Sequence, residues 1–306
     1  MFTENRKMRF NNFSSYMRST YGANLEKICL DGAFTCPNRD GTRSRGGCIF
    51  CGERGAGDHI EGRVDIKAQL KNFFLARPKV KHAIAYFQNF TGTYAPIETL
   101  KRLYTDAISD ERVLVLAIGT RPDCISEEIC RLLKRLSERV DVWVELGLQT
   151  VNDEVAALCN RAYKTEEFKR AYDLLSAYGI GVVAHMMVGL PTEGFEDVKR
   201  TLEYLNTFRL HGIKIHSVYV MKETRLAELY ERGEYAPITR EEYVRTVVYI
   251  LTHLPPDLIV HRITGDCVKS MLVAPEWNRD KNATLAAIYD ALEQDDLYQG
   301  CCYQKP

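Results

Sequence analysis

Val113-Leu-Val-Leu-Ala-Ile118, residues 127–138, and Val140-Asp-Val-Trp-Val-Glu-Leu-Gly-Leu148 decide the fold. Two apolar runs without clean polar alternation flank one amphipathic segment of helix length. A strand apolar on both faces is one buried between helices, which is the mark of a parallel sheet. Working outward, the same alternation continues in both directions. The spacing predicts further strands at 26–30, 83–87, 181–188, 213–220 and 258–263. Helices are predicted at 64–76, 97–108, 153–159, 166–178, 195–208, 226–232 and 240–251. Strict alternation leaves a βα barrel or a doubly wound sheet. No GxGxxG opens a helix after the first strand, which weakens the dinucleotide-binding option. Polar residues gather at strand ends instead: Gln88–Asn89, Gly119–Thr120–Arg121, 145–149 and 216–222. That is the pattern of a barrel with its site at the C-terminal rim. The expectation is an α/β protein, an open partial (β/α)6 TIM-like barrel. Residues 1–22 form a basic and aromatic N-terminal arm, 23–257 the core, and 258–306 an extension packed on the barrel.

Bulk properties narrow the function classes. The chain has 306 residues, 45% of them hydrophobic, and 41 Lys and Arg balance 41 Asp and Glu. Neutrality removes a global field for nucleic acid or acidic membranes, while leaving a local basic face open. Candidates for such a face are Arg6, Lys7 and Arg9 in the arm, Arg39, Arg43 and Arg45, and Lys79 with Lys81. The first 21 residues carry no apolar leader, and no run approaches the roughly 20 apolar residues of a membrane span. A cytoplasmic protein with no membrane partner is expected. In that reducing setting ten clustered and scattered cysteines point to metal or redox work rather than disulfides.

Three of the ten lie in one Gly/Arg-rich loop, residues 31–62. Cys36 is separated by eleven residues from Cys48-Ile-Phe-Cys51. Zinc is one reading, but structural zinc wants four N/S ligands and no second knuckle lies nearby. A thioredoxin-like pair is another, but such a pair opens a helix, whereas Gly52, Gly55 and Gly57 follow this one. The third is a 4Fe–4S cluster held by Cys36, Cys48 and Cys51, with one iron left open to bind a ligand.

The cysteine loop, with Phe50 before Cys51, resembles the variant cluster motif of the elongator-type branch of radical S-adenosylmethionine (SAM) enzymes. The resemblance extends through Phe34-Thr-Cys-Pro-Asn-Arg-Asp-Gly41, Tyr86-Phe-Gln88, Gly119-Thr-Arg-Pro-Asp-Cys124 and Trp143-Val-Glu-Leu-Gly-Leu-Gln149. It continues in Val188-Gly-Leu-Pro191, Gly212-Ile-Lys-Ile-His216, His261-Arg262 and Ala274-Pro-Glu-Trp277, in a bacterial subfamily linked to transfer RNA wobble uridine. It implies a three-cysteine 4Fe–4S cluster, SAM on the open iron, and an electron donor such as flavodoxin or ferredoxin. Reductive cleavage of SAM would give a 5′-deoxyadenosyl radical that abstracts hydrogen. The implied substrate is the carbon-5 side chain of the wobble uridine, taken from carboxymethylaminomethyl toward aminomethyl. A small metabolite or peptide substrate, a non-catalytic iron–sulfur relay, and a zinc-stabilised RNA-binding module are the alternatives.

The resemblance and the polar strand ends together give the expected site residues. Cofactor contacts are expected from Phe50, Gln88, Arg121, Glu145, Gln149, Arg161 and Gly189. Catalytic roles are expected for Glu145, Gln149, His216 and Lys222. A carboxylate and an amide in so apolar a strand are costly unless paired or lining a cleft. Arg161 resembles an arginine that grips the SAM carboxylate in fork geometry. Relatives often continue Arg-Gly-His where this chain has Arg161-Ala-Tyr163. Gly189 would let backbone approach the adenine, or simply turn the chain. His185 is read as a core residue. Cys29, Cys124, Cys130, Cys159 and Cys267 are read as small buried hydrophobes, and Cys301–Cys302 as an idle exposed pair.

Overall fold

The apolar runs pair side by side, in parallel, in a computed structural model that describes residues 8–53, 55, 65–265 and 268–305. Strands β1 (Glu26–Leu30), β2 (Ala83–Phe87), β3 (Val113–Thr120), β4 (Asp141–Gln149), β5 (Gly181–Val188) and β6 (Gly212–Ser217) lie in chain order. A seventh strand, β8 (Ile259–Arg262), follows β6 in the same sheet. The short β7 (Val220–Met221) sits apart from it and pairs antiparallel with β9 (Leu272–Ala274). The result is a curled, open half-barrel, because sheet twist carries successive parallel strands around an axis.

Helices α2 (Ile66–Ala76), α3 (Ile97–Ala107), α4 (Glu127–Leu136), α6 (Glu166–Ala177), α7 (Phe195–Asn206) and α9 (Arg240–His253) cover the outer face. The shorter α5 (Asp153–Leu158) and α8 (Arg225–Glu231) lie near the C-terminal rim, and α10 (Lys281–Gln294) packs on α9. α4 shows why these segments fold as they do. Ser126 caps it by accepting the Ile129 N–H, with Glu127 and Glu128 in the first turn and Lys134 and Arg135 in the last. Cap and charges both suit the helix dipole. Ile129, Cys130, Leu132, Leu133 and Leu136 are its buried face.

Two expectations change. The run 213–220 is not one strand: the chain leaves the sheet at Ser217, and Val220–Met221 joins the small ribbon. The run 258–263 begins no extension, since β8 pairs with β6 and completes the barrel edge. That pairing needs Gly212, where a Cβ would stand 2.4 Å from the His261 ring.

The described part of the N-terminal arm packs on the barrel. Asn12 bridges to Val260 at the β8 edge and caps α1 (Phe13–Tyr21), which Gly22 ends in the left-handed region. α1 lies beneath the interior of the barrel. Phe13 meets Trp143 edge-on and stacks near His261, while Tyr16 meets His211. Met17 is buried with Ile84, Val115, Ala117 and Val183, all inward-facing strand residues. Arg9 pairs with Asp296; Arg6 and Lys7 lie outside the described residues, as do Cys267 and the start of the predicted helix at Val64. Of the arm's described residues, α1 plugs the N-terminal mouth of the barrel. Among the described residues no helix is long and apolar enough to cross a membrane.

The plug gives a direct test. Met17→Ala should cost about 2–4 kcal/mol, since truncating a buried side chain leaves a cavity. Arg18→Ala, on the exposed face of the same helix, should cost under about 0.5 kcal/mol. Urea unfolding of the two variants measures the difference.

Candidate active site

The cysteine loop is built from its own hydrogen bonds. Arg39 and Asp40 donate backbone N–H groups to the Cys36 carbonyl, and Cys51 N–H donates to the Cys48 carbonyl across a tight turn. The Arg39 guanidinium folds inward and donates to the carbonyls of Cys51 and Gly52. That use removes Arg39 from any exposed basic face. Arg43 stands 3.7 Å from the Asp123 carboxylate.

A second segment clamps this loop to the barrel. Asn160, held at φ 53°, donates its amide to the carbonyls of Arg45 and Gly47 and accepts from Ser44 Oγ. Its own carbonyl accepts from Asn38 Nδ2, which also lies 3.6 Å from the Cys48 sulfur. The Ile49 N–H donates to the Cys159 carbonyl. Asparagine tolerates the left-handed region better than other residues with a side chain, which suits it to this bracket.

Next in sequence, Arg161 is buried and uses all five donors. Nε donates to the Tyr163 carbonyl, Nη1 to the carbonyls of Leu148 and Thr150, and Nη2 to Asp153 and Thr165. A guanidinium has five N–H groups, so none is left for a SAM carboxylate. The expected grip on the cofactor is corrected to a structural one: Arg161 ties the end of β4 to the loop that follows. Arg121 is engaged too, in a fork with Asp123 and in a bond to the Arg161 carbonyl, and both guanidiniums stack on Tyr163.

Tyr163 follows Arg161 by two residues. Its hydroxyl reaches the Gly147 carbonyl and Gln149 Oε1, at 2.7 and 3.0 Å. Gln149 sits at φ 63° after a register shift in β4, and Gly147 leaves room for its side chain, where a Cβ would lie 2.5 Å from Nε2. The amide is thus pinned at the strand end.

Around the thiols the environment is cationic. The Cys48 thiol is pulled down to about 7 by its bond with Cys51, against burial, with Arg121, Asn38 and Arg39 assisting. The same bond and burial push Cys51 up, and Cys36 acts on it through charge. Among the described residues no three His, Cys, Asp or Glu side chains are already gathered as a metal site. Phe50 is half-buried against Val218, Leu226 and Tyr235, with Met187 alongside.

Below the loop, inside the barrel, lies a charged cluster. Glu145 Oε2 accepts from Tyr86 Oη at 2.6 Å, from His185 Nε2 at 2.9 Å and from Lys214 Nζ. Glu145 and Lys214 are both buried, and Lys214 also lies over the Tyr86 ring. Burial works to raise the Glu145 carboxyl, but Lys214 and His185 outweigh it and hold it well below the carboxylate range. Because Glu145 is ionised, His185 Nε2 must donate, leaving Nδ1 as an acceptor. Burial also keeps His185 and His216 neutral, and their rings lie 5.0 Å apart. His216 Nε2 is buried without a partner.

The structure therefore brings Glu145 and His216 together, with Gln88 on the same interior near Cys29. It does not bring Lys222, which is exposed beside the outer ribbon where its N–H meets the Met271 carbonyl. His185 belongs to the cluster rather than the apolar core. Cys29 packs against the interior apolar cluster, as expected, with its sulfur 3.6 Å from Gln88 Oε1. Strand parity held the missed signal. His185 shares its face with Met187, and register sets His185 against Lys214 and Met187 against His216.

Gly189 is a turn residue. Its φ is 91°, a Cβ there would lie 2.9 Å from Ile238, and its carbonyl accepts from Tyr235 Oη. Glu193 Oε2 accepts the N–H groups of Gly189 and Leu190. Burial pushes the Glu193 carboxyl up to about 8.

Comparison with known proteins gives the same outline. The Radical SAM superfamily model matches residues 39–205, and a Radical_SAM C-terminal domain model matches 210–294. A Bacillus subtilis protein, YtqA, is 37% identical over 305 residues, 98% of this chain and 95% of that one. A tRNA uridine(34) acetyltransferase of Methanocaldococcus infernus is 32% identical over 166 residues, 53% of this chain and 30% of that one. The structure of Methanocaldococcus infernus Elp3 with an N-terminal deletion superposes with TM-score 0.68 at 21% identity. That match covers 90% of this chain and spans 64% of the other, and it bears on the fold.

Glu193 makes the turn after β5 pH-sensitive. Its folded value lies above the unfolded one, so its contribution is full below about pH 4.5 and is lost as pH rises through about 8. Glu193→Gln should remove that loss, gaining on the order of 2–4 kcal/mol relative to wild type at pH 9. Guanidinium unfolding at pH 5 and pH 9 measures it, and parallel curves for both proteins would count against the assignment.

Proposed function

The chain belongs to the radical SAM superfamily, and from that premise we propose that Cys36, Cys48 and Cys51 hold a 4Fe–4S cluster with one open iron. The observation that carries this reading is the clamped loop. One segment presents three thiols, Arg39 and Arg121 bring positive charge to it, and Asn160 fixes it above the barrel interior. Thiolate sulfur is the ligand such clusters take, and nearby cations offset their negative charge. When bound, the cluster would supply the electron that cleaves SAM to methionine and a 5′-deoxyadenosyl radical. Electrons would come from a small donor such as flavodoxin or ferredoxin.

The chain's own residues would then bind and orient. Phe50 offers an apolar wall on the loop, and Gln149, pinned by Tyr163, offers an amide at the mouth. Glu145 holds Lys214 and fixes the His185 tautomer. His216 Nε2, buried and unpartnered, is the ring nitrogen available to exchange a proton with a substrate amine.

The substrate in this reading is transfer RNA, at the carbon-5 side chain of the wobble uridine. Its support is the likeness to a protein named for tRNA uridine(34). The carboxymethylaminomethyl group would lose its carboxymethyl carbons. The reaction balances with SAM and water as co-reactants: aminomethyl, glyoxylate, methionine, 5′-deoxyadenosine and a proton are the products. The two electrons lost by the carboxymethyl carbon equal the two that cleave the sulfonium C–S bond.

Two outcomes follow. Ala at Cys36, Cys48 or Cys51 should abolish 5′-deoxyadenosine formation by anaerobically reconstituted protein, whereas Ala at Cys124 or Cys130 should leave it within about twofold. Cells lacking the gene should accumulate carboxymethylaminomethyl nucleosides at the wobble position, read by nucleoside mass spectrometry. Unchanged wobble nucleosides, in cells with no second route to the product, would sink the RNA assignment.

A further inference from the structure

Gln149 ends β4 in the left-handed region, at φ 63°, where residues other than glycine are uncommon. The register shift before it breaks the alternation of the strand, and the side chain folds back over Gly147. Residues 143, 145 and 147 share one face of β4, the inward one that carries Trp143 and Glu145. A Cβ on Gly147 would stand 2.5 Å from Gln149 Nε2, so that nitrogen fills the inward space of position 147. The amide oxygen is engaged elsewhere. The Tyr163 hydroxyl is shared between the Gly147 carbonyl and Oε1, at 2.7 and 3.0 Å. Tyr163 is itself fixed, with the Arg121 and Arg161 guanidiniums 4.7 and 4.6 Å from its ring centre. Nε2, by contrast, has no hydrogen-bond partner among the described residues.

The neighbouring strand supplies the complementary group. Register sets Gly147 against His185, and paired strands lie about 4.8 Å apart. His185 Nε2 is committed to Glu145 at 2.9 Å, so Nδ1 is an acceptor, and it has no partner among the described residues. The His185 side chain is 21% exposed although it points into the barrel, so it borders open interior space. Two N–H donors and one acceptor thus stand side by side, one strand apart. Folding needs no such pair. A residue kept in a sparsely populated backbone region, by neighbours that enforce it, is a feature that clusters at binding sites.

We propose that Gln149 and His185 read the edge of a uracil base, Nε2 donating to its C4 carbonyl oxygen and Nδ1 accepting its N3–H. This rests on the proposed wobble-uridine reading and adds to it the groups that tell the base from cytosine. Cytosine carries an amino group at C4 and a bare N3. It meets the amide donor with a donor and the imidazole acceptor with an acceptor. A site built to hydrogen-bond its ligand rejects such a mismatch far more strongly than one built on shape. Single bases turned out of their stack are read on these edges. Contacts at O4 and N3 also leave carbon 5 and its side chain free to react. Tyr163 is a positioning residue here: holding Oε1, it keeps the amide from turning and presenting oxygen where nitrogen is needed.

The test uses reconstituted holoprotein with SAM and two matched pairs of probes. One pair is an anticodon stem-loop with carboxymethylaminomethyl-uridine at the wobble position and the same RNA with the group on cytidine. The other is the two free nucleosides. Wild-type protein should bind each uridine probe at least about tenfold more tightly than its cytidine counterpart. Gln149→Glu, which offers only acceptors when ionised, should abolish or reverse that preference. His185→Phe should reduce it by about fivefold or more, and Tyr163→Phe by about threefold, through an amide free to turn. A ratio between two bases does not move when part of the protein is merely unfolded. Equal binding of uridine and cytidine probes by wild-type protein, or a preference unchanged in Gln149→Glu and His185→Phe, would overturn the base reading. A fall in SAM affinity in Gln149→Glu as large as that for uridine, by equilibrium dialysis, would assign the amide to the cofactor and overturn it too. Uridine preference among free nucleosides, with neither stem-loop bound, would uphold the base reading and remove the RNA one. Both stem-loops bound equally, with the uridine one converted, would do the reverse.

Discussion

The bracket at Cys159-Asn160-Arg161 is the constraint on which the rest of the site depends. A loop rich in glycine and arginine has no reason to hold three thiols in one place. Here Asn160 satisfies three polar groups of that loop, while the adjacent Arg161 makes five hydrogen bonds, two of them to the carbonyls at the end of β4. A buried guanidinium with every donor engaged is stable only in that arrangement, because any lost partner leaves a desolvated charge. The thiol loop therefore inherits the rigidity of the barrel.

From the bottom of the barrel upward, the interior changes character in steps. An aromatic and apolar plug closes the N-terminal mouth, with Phe13, Tyr16 and Met17 supplied by α1. Glu145, Lys214, Tyr86 and His185 form a bonded charged layer above it. The pinned Gln149 and the cysteine loop lie at the open end. A small residue helps make this gradient possible: Gly147 leaves inward-facing space for the Gln149 amide. A barrel sealed at one end and thiol-lined at the other admits ligands from one direction, which suits chemistry that must exclude competing reactions.

Much of this was legible in the sequence. Buried parallel strands announce themselves as unbroken apolar runs, and β2 and β5 fall where the runs predict. Three cysteines in one glycine-rich loop, and a carboxylate inside Val-Trp-Val-Glu-Leu-Gly-Leu, pointed to the site. What the sequence hid depends on register and distance. His185 reads as a core residue until β5 is set between β4 and β6, when it lies beside Glu145 on one side and Lys214 on the other. Arg161 reads as a free anion-binding fork until the carbonyls of Leu148 and Thr150 are seen to occupy it. The arm's charges are visible in sequence, whereas the Phe13–Trp143 packing that seats α1 spans 130 residues and is not. Lys222 was grouped with His216 by proximity in sequence, and a chain leaving the sheet after Ser217 separates them.

The most direct test of the central claim is electron paramagnetic resonance of anaerobically reconstituted, dithionite-reduced protein, with and without SAM, alongside metal content. An open iron held by Cys36, Cys48 and Cys51 predicts about four irons per chain and a reduced-cluster signal whose g-values shift when SAM is added. Stoichiometric zinc without iron, or a cluster signal indifferent to saturating SAM, would contradict it.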